Sequence, residues 1–359
     1  METSTTVLIL GAGASKEADL PLGGELKERI SRILIPAAGP KGFPMDGGDP
    51  VVWRALHSIA SDRSEPGGSI YWFEVAAEQI INSESLSLSI DSFLESHSGD
   101  FYIEQCGKLA IVKSILNAER ASYLYISEEN ESPIFPKAQI LKGTWYPEFF
   151  RLCTRGVPKE RLSEALSKVA IIDFNYDRCA EHFLFNAMRT YYRLERAEAA
   201  ELMQDLPVHH PYGSIGKLPW RTENQAGAVA FGSGLVSPRT LIQLATGIKT
   251  FSEQTEQGSE VSEIQKLVSR AKKVVYLGFA YHKQNLELLQ ARNLWSAGTP
   301  GPHPIMLGTA FGISHDDVDH IKGAIGPKTF AESDERLILR NDLTCKEILN
   351  QYSRRLGLT

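Results

Sequence analysis

A turn of small residues, an asparagine, an aspartate and a histidine supply the chemistry that can be read in this chain. Gly11-Ala12-Gly13-Ala14-Ser15 follows the apolar run Val7–Leu10. Where side-chain bulk is missing, backbone N–H groups can approach a pyrophosphate. The match to a dinucleotide fingerprint is incomplete: Lys16 stands where the third glycine belongs, and the Gly-Lys-Ser/Thr ending of a P-loop is missing. A tight strand-to-helix turn with no ligand is the alternative. Asn175, within Asp173-Phe174-Asn175-Tyr176-Asp177, also follows an apolar run. Its amide both donates and accepts and does not titrate, which suits orienting a substrate; turn formation is the alternative. Asp177 could orient water or a histidine, or cap the helix that follows. His210 carries a ring that exchanges a proton near neutrality, which suits a general base; a buried structural histidine is the alternative.

These residues need elements to hold them. Val169–Ile172, Val274–Leu277 and Pro304–Leu307 are short apolar runs like Val7–Leu10, each closed by glycine or a small polar residue. That pattern predicts buried parallel strands separated by helices. The expected class is α/β, a Rossmann-like doubly wound parallel sheet that binds ligands at the carboxyl ends of its strands. Leu26, Ile30, Ile33 and Leu34 predict a helix after Pro21, and Phe101–Ile126 is the longest helix candidate. Pro36–Pro50 is dense in proline and glycine and reads as a loop. The whole chain, 1–359, reads as one domain with a large helical insertion over roughly 36–165.

Composition sets outer bounds. Of 359 residues, 42% are hydrophobic and 23% charged, which excludes global disorder. The net charge of −6 gives no sign of a dedicated nucleic-acid surface. Cys106, Cys153, Cys179 and Cys345 form no CxxC pair, so no zinc or other metal site is expected. No run approaches the ~20 apolar residues of a membrane span, and no signal peptide is visible; a cytoplasmic location is the expectation.

Taken together, four stretches resemble the bacterial sirtuin-like family. Gly11–Ser15 followed by Leu20-Pro21 resembles the sirtuin opening. Asp173–Asp177 is similar to the family's Asn-Tyr-Asp segment. His209-His210-Pro211-Tyr212-Gly213-Ser214-Ile215 resembles its His-Gly-Ser-Ile stretch, and Val275–Phe279, with Asn285 beyond it, its late strand-glycine motif. The resemblance implies NAD as substrate, bound by Gly11, Ala12, Gly13, Ala14, Ser15, Leu20, Pro21, Asn175, Gly278, Phe279 and Asn285. It implies an NAD glycohydrolase, releasing nicotinamide and ADP-ribose, in anti-phage defence. It further implies a homo-oligomer with a separate regulatory partner, such as a hexameric DNA-translocase ATPase or a short Argonaute.

Two departures matter. The zinc ribbon of deacylating sirtuins is missing, so hydrolysis of NAD is expected over deacylation. Tyr212 stands where the family has its catalytic histidine, with His210 two residues earlier. In an extended strand these two share a face, so His210 could reach the same cleft. His209 and Tyr212 are the other candidates for that role. The alternative function is a catalytically silent module that binds NAD or ADP-ribose and regulates a partner.

Overall fold

A computed structural model describes residues 6–36, 48–63, 70–127, 134–222, 227–256, 259–289, 304–326 and 335–357. Most of the Pro36–Pro50 loop, residues 37–47, lies outside the described residues. Six strands form one all-parallel sheet: β1 (Thr6–Leu10), β2 (Val169–Asp173), β3 (Val208–His209), β4 (Lys273–Leu277), β5 (Ile305–Thr309) and β6 (Leu337–Arg340). Their order is β3-β2-β1-β4-β5-β6. From β1 the chain winds one way to β2 and β3, then from β4 the other way to β5 and β6. This is the doubly wound Rossmann-like arrangement, and its switch point lies between β1 and β4.

β1 and β2 are buried along their whole length, which is why they read as unbroken apolar runs. The edge strands are shorter in this respect: β3 has no such run, and β6 only Leu337–Leu339 between two arginines. β3 is two half-buried residues long, and β6 is buried mainly at Leu339. β3 does not stand out as a strand for that reason, and the three-residue run of β6 is too short to stand out beside the four-residue runs.

Between β1 and β2 the described elements are all helical. They are α1 (Ala12–Lys16), α2 (Gly23–Leu34), α3 (Pro50–Asp62), α4 (Tyr71–Asn82), α5 (Ile90–Ser96), α6 (Phe101–Ala121), α7 (Ala138–Leu141), α8 (Tyr146–Thr154) and α9 (Leu162–Leu166). After β2 come α10 (Cys179–Tyr192), α11 (Arg196–Leu202), α12 (Pro238–Ala245), α13 (Phe251–Glu256), α14 (Ser259–Ser269), α15 (Lys283–Leu288), α16 (His315–Ile325), α17 (Cys345–Gln351) and α18 (Ser353–Leu356). Alternate strand residues face opposite layers. Val7, Ile9, Ile172 and Val274 pack with α2 to α6 and α12, whereas Leu8, Leu10, Ile171 and Val275 pack with α8 to α11 and α17. The insertion is therefore not one layer. Its first part, through most of α6, covers one face of the sheet, and its second part, from the end of α6 at Ala118 and Leu124 onward, the other.

Candidate functional site

At the carboxyl ends of β1, β2 and β4 lies a cleft of about 440 Å³, within the few-hundred to thousand Å³ typical of small-molecule sites. Five separated stretches line it: Gly11 and Ala12 after β1, Leu20 to Leu26, Leu88 to Ser92 at the start of α5, Phe174 to Asp177 after β2, and Phe279 to Asn285 after β4, with Tyr212 beside them. The cleft sits at the switch point of the sheet, where this topology leaves room for a ligand.

The glycines of the first turn have a packing task. A Cβ on Gly11 would lie 2.6 Å from the Gly278 carbonyl oxygen, and one on Gly13 2.7 Å from Gly278 Cα. Gly278 itself has φ +58°, and a Cβ there would meet Ala14 N at 2.0 Å. The turns after β1 and β4 thus touch backbone to backbone. Two of the N–H groups in the first turn are taken by that contact: Gly11 donates to the Leu277 carbonyl and Gly13 to that of Gly278, each at 3.0 Å. Gly11 and Ala12 line the cleft, while Gly13, Ala14, Ser15 and Gly278 lie behind its wall.

Asn175 is in the cleft wall and held from three sides. Its N–H donates to Asp173 Oδ1 at 3.0 Å, its Nδ2 to Ser15 Oγ at 3.1 Å, and its carbonyl accepts from His210 Nδ1 at 3.1 Å. Ser15 therefore acts on the cleft through Asn175. Asp177 also borders the cleft, and its Oδ1 accepts the Cys179 N–H at 3.0 Å, supporting the start of α10.

The expectation that His210 and Tyr212 share a face is not met. β3 ends at His209, and residues 210 to 213 form a turn closed by the Gly213 N–H on the His210 carbonyl at 2.8 Å. The period-2 argument needs an extended chain, and the turn separates the two rings. Tyr212 lines the cleft, whereas His210 does not. The His210 Nε2 faces Glu181 Oε2 at 3.7 Å, and Glu181 also holds Arg221 Nε at 2.7 Å. Burial alone would push the imidazole pKa down; the carboxylates of Glu181 and Asp173 outweigh it and bring it up to about 9. Glu181, opposed by its burial but facing Arg221 and His210, is held at about 2. His210 is thus held among acidic groups that favour its charged form, behind Asn175. His209, in the edge strand, is likewise outside the cleft lining.

Tyr212 donates its phenol to Asn285 Oδ1 at 2.6 Å, and burial pushes that phenol's pKa up, so it stays neutral. Asn285 lies in the first turn of α15, whose N-cap is His282. Phe174 meets Tyr212 and Phe279 edge to face, with centroids 5.9 and 5.0 Å apart. Together these rings give the cleft an apolar floor with polar groups at its sides.

Sequence reasoning missed Asp91, Ser89, Ser92 and His282, all of which line the cleft. Ser89 caps α5 by accepting the Ser92 N–H at 3.1 Å, and the pattern Ser-Ile-Asp signals a helix start rather than a site. Asp91 accepts a short hydrogen bond from the Tyr176 phenol. Burial raises its carboxyl pKa against the opposing effect of that phenol.

No family model, curated protein or solved structure matches this chain. Among the described residues no helix is long and apolar enough to cross a membrane.

Proposed function

We propose that the chain is an NAD glycohydrolase, cleaving NAD to nicotinamide and ADP-ribose in the cleft at the ends of β1, β2 and β4. One observation carries this reading. Gly11-Ala12, Leu20-Pro21, Asn175, Tyr212, Phe279 and Asn285 come from the four sirtuin-like stretches, and they converge on one cleft. Segments that follow neighbouring parallel strands meet at such a crevice in any doubly wound sheet, so the convergence supports a ligand site and the resemblance supplies NAD as its ligand.

The leaving nicotinamide is already a cationic pyridinium in NAD, so the C1′–N bond breaks through an oxocarbenium-like state. The protein must orient the ribose and hold water at C1′. Asn175, fixed at its N–H, its carbonyl and its amide, suits that task. The apolar rings of Phe174, Tyr212 and Phe279 suit the flat faces of the ligand. The same resemblance extends the proposal to a homo-oligomeric, cytoplasmic anti-phage effector controlled by a separate partner, a hexameric DNA-translocase ATPase or a short Argonaute.

A second reading, the catalytically silent module for NAD or ADP-ribose, is favoured by the position of His210 behind Asn175. Incubating purified protein with NAD and separating the products by chromatography distinguishes the two. Stoichiometric nicotinamide and ADP-ribose support the hydrolase. Binding of NAD without product supports the module.

A further inference from the structure

We propose that Asp91, which the helical insertion places in the cleft wall, is the proton acceptor of the reaction, in the role for which the resembling family uses a histidine. This rests on the hydrolase reading above. The candidate histidine is unsuited by position: His210 donates to the Asn175 carbonyl and faces Glu181 behind the wall. Asp173 is also behind the wall, with Oδ1 on the Asn175 N–H. Two carboxylates line the cleft: Asp177 is buried with its Oδ1 on the start of α10, whereas Asp91, whose Oδ1 accepts the Tyr176 phenol, is only half-buried.

Asp91 stands in the first turn of α5, positioned by the Ser89 cap. The Tyr176 phenol donates to its Oδ1. Tyr176 belongs to the Asn-Tyr-Asp segment, so the loop that presents Asn175 also holds the Asp91 carboxylate in the same cleft. Burial raises the carboxyl pKa, which strengthens it as a base. Among the described residues, Tyr176, Tyr212 and His282 face it from other elements, and Asp177 and Lys283 line the same cleft. Lys27 of α2 donates instead to the carbonyls of Glu84 and Ser87, Lys108 of α6 pairs with Glu253, and Glu95 of α5 accepts from Ser252.

In the step, a water oxygen forms its bond to C1′ while the C1′–N bond breaks. The electron pair of that bond neutralises the pyridinium, giving nicotinamide. The water proton passes to the Asp91 carboxylate, which later releases it to solvent, and ADP-ribose remains. The base form is the carboxylate, so kcat/KM should fall as pH drops through the raised pKa of Asp91. Tyr176→Phe removes a donor that favours the carboxylate. It should therefore move this acidic limb to higher pH.

The test measures kcat, KM and pH profiles with NAD for wild type, Asp91→Asn, Asp91→Glu and Tyr176→Phe, with NAD affinity by calorimetry. Asp91→Asn is expected to lose ~10²–10⁴-fold in kcat with affinity nearly unchanged, Asp91→Glu to recover part of it, and Tyr176→Phe to shift the acidic limb upward. A folded Asp91→Asn variant at wild-type kcat overturns the assignment. If Asp91→Asn does not fold, an unmoved limb in Tyr176→Phe overturns it instead. Wild type that releases no nicotinamide removes the hydrolase reading as a whole; wild type that releases it beside an equally active Asp91→Asn removes only the role of Asp91.

Discussion

Asn175 and His210 form a unit in which one residue faces the cleft and the other holds it. Three hydrogen bonds fix Asn175. Asn175→Ala should therefore lower NAD cleavage by ~10²–10³-fold, the range for losing one preorganised polar group, and kcat of the folded variant checks it. His210 titrates with a folded pKa of about 9 against an ordinary 6.5. Its stabilisation is fully present below pH 6.5 and lost as pH rises through 9. Wild type should thus lose much of its advantage over His210→Gln between pH 7 and 10. Urea midpoints of both proteins across that range measure it, and a constant gap would mean that His210 is not held as an imidazolium. At this scale the sequence was legible for Asn175, whose position after a buried strand puts it in the cleft mouth. It was not for His210, because a turn at Pro211 decides where the ring goes and residue spacing does not report that turn.

The elements that meet at the switch point do so through glycine. Gly278 has a left-handed backbone and a neighbour 2.0 Å from where a Cβ would sit. Gly278→Ala should cost at least about 3 kcal/mol, the left-handed strain and the clash acting together. Gly24, in the first turn of α2, has open space for 4 Å around the position a Cβ would take. Gly24→Ala should be neutral or stabilising by about 0.4–1 kcal/mol. Thermal melts of the pair separate a packing glycine from a permissive one. The glycine turn was legible as a turn, but its main purpose was not. Its contact is with Gly278, far along the chain, and no local pattern encodes such a meeting. β1, β2, β4 and β5 were legible because burial on both faces makes their sequences continuously apolar. The edge β3 carries no comparable signal, and β6 only the short run Leu337–Leu339.

Across the whole molecule, the insertion and the sheet are joined by a buried ion pair. Arg178, just after the Asn-Tyr-Asp segment, is 1% exposed and meets Glu119 of α6, 0% exposed, at 2.6 Å. Arg178 also reaches the carbonyls of Val229 and Ala230, and Glu119 the N–H of Gly232. Glu119→Gln would leave the guanidinium without its counter-charge and should cost about 3–5 kcal/mol, read from urea unfolding. The helical character of the insertion was legible from its apolar spacing. Its division between the two faces of the sheet was not, since a helix period gives one buried face without saying which layer that face meets. The central claim, that stretches spread along the chain build one NAD site at the switch point, is met most directly by the structure of Asn175→Ala crystallised with NAD, in which slow turnover preserves the ligand. The expected result is dinucleotide density in the cleft bordered by Gly11, Tyr212 and Phe279, with the nicotinamide ribose between position 175 and Asp91. Density confined to any other part of the surface would contradict it.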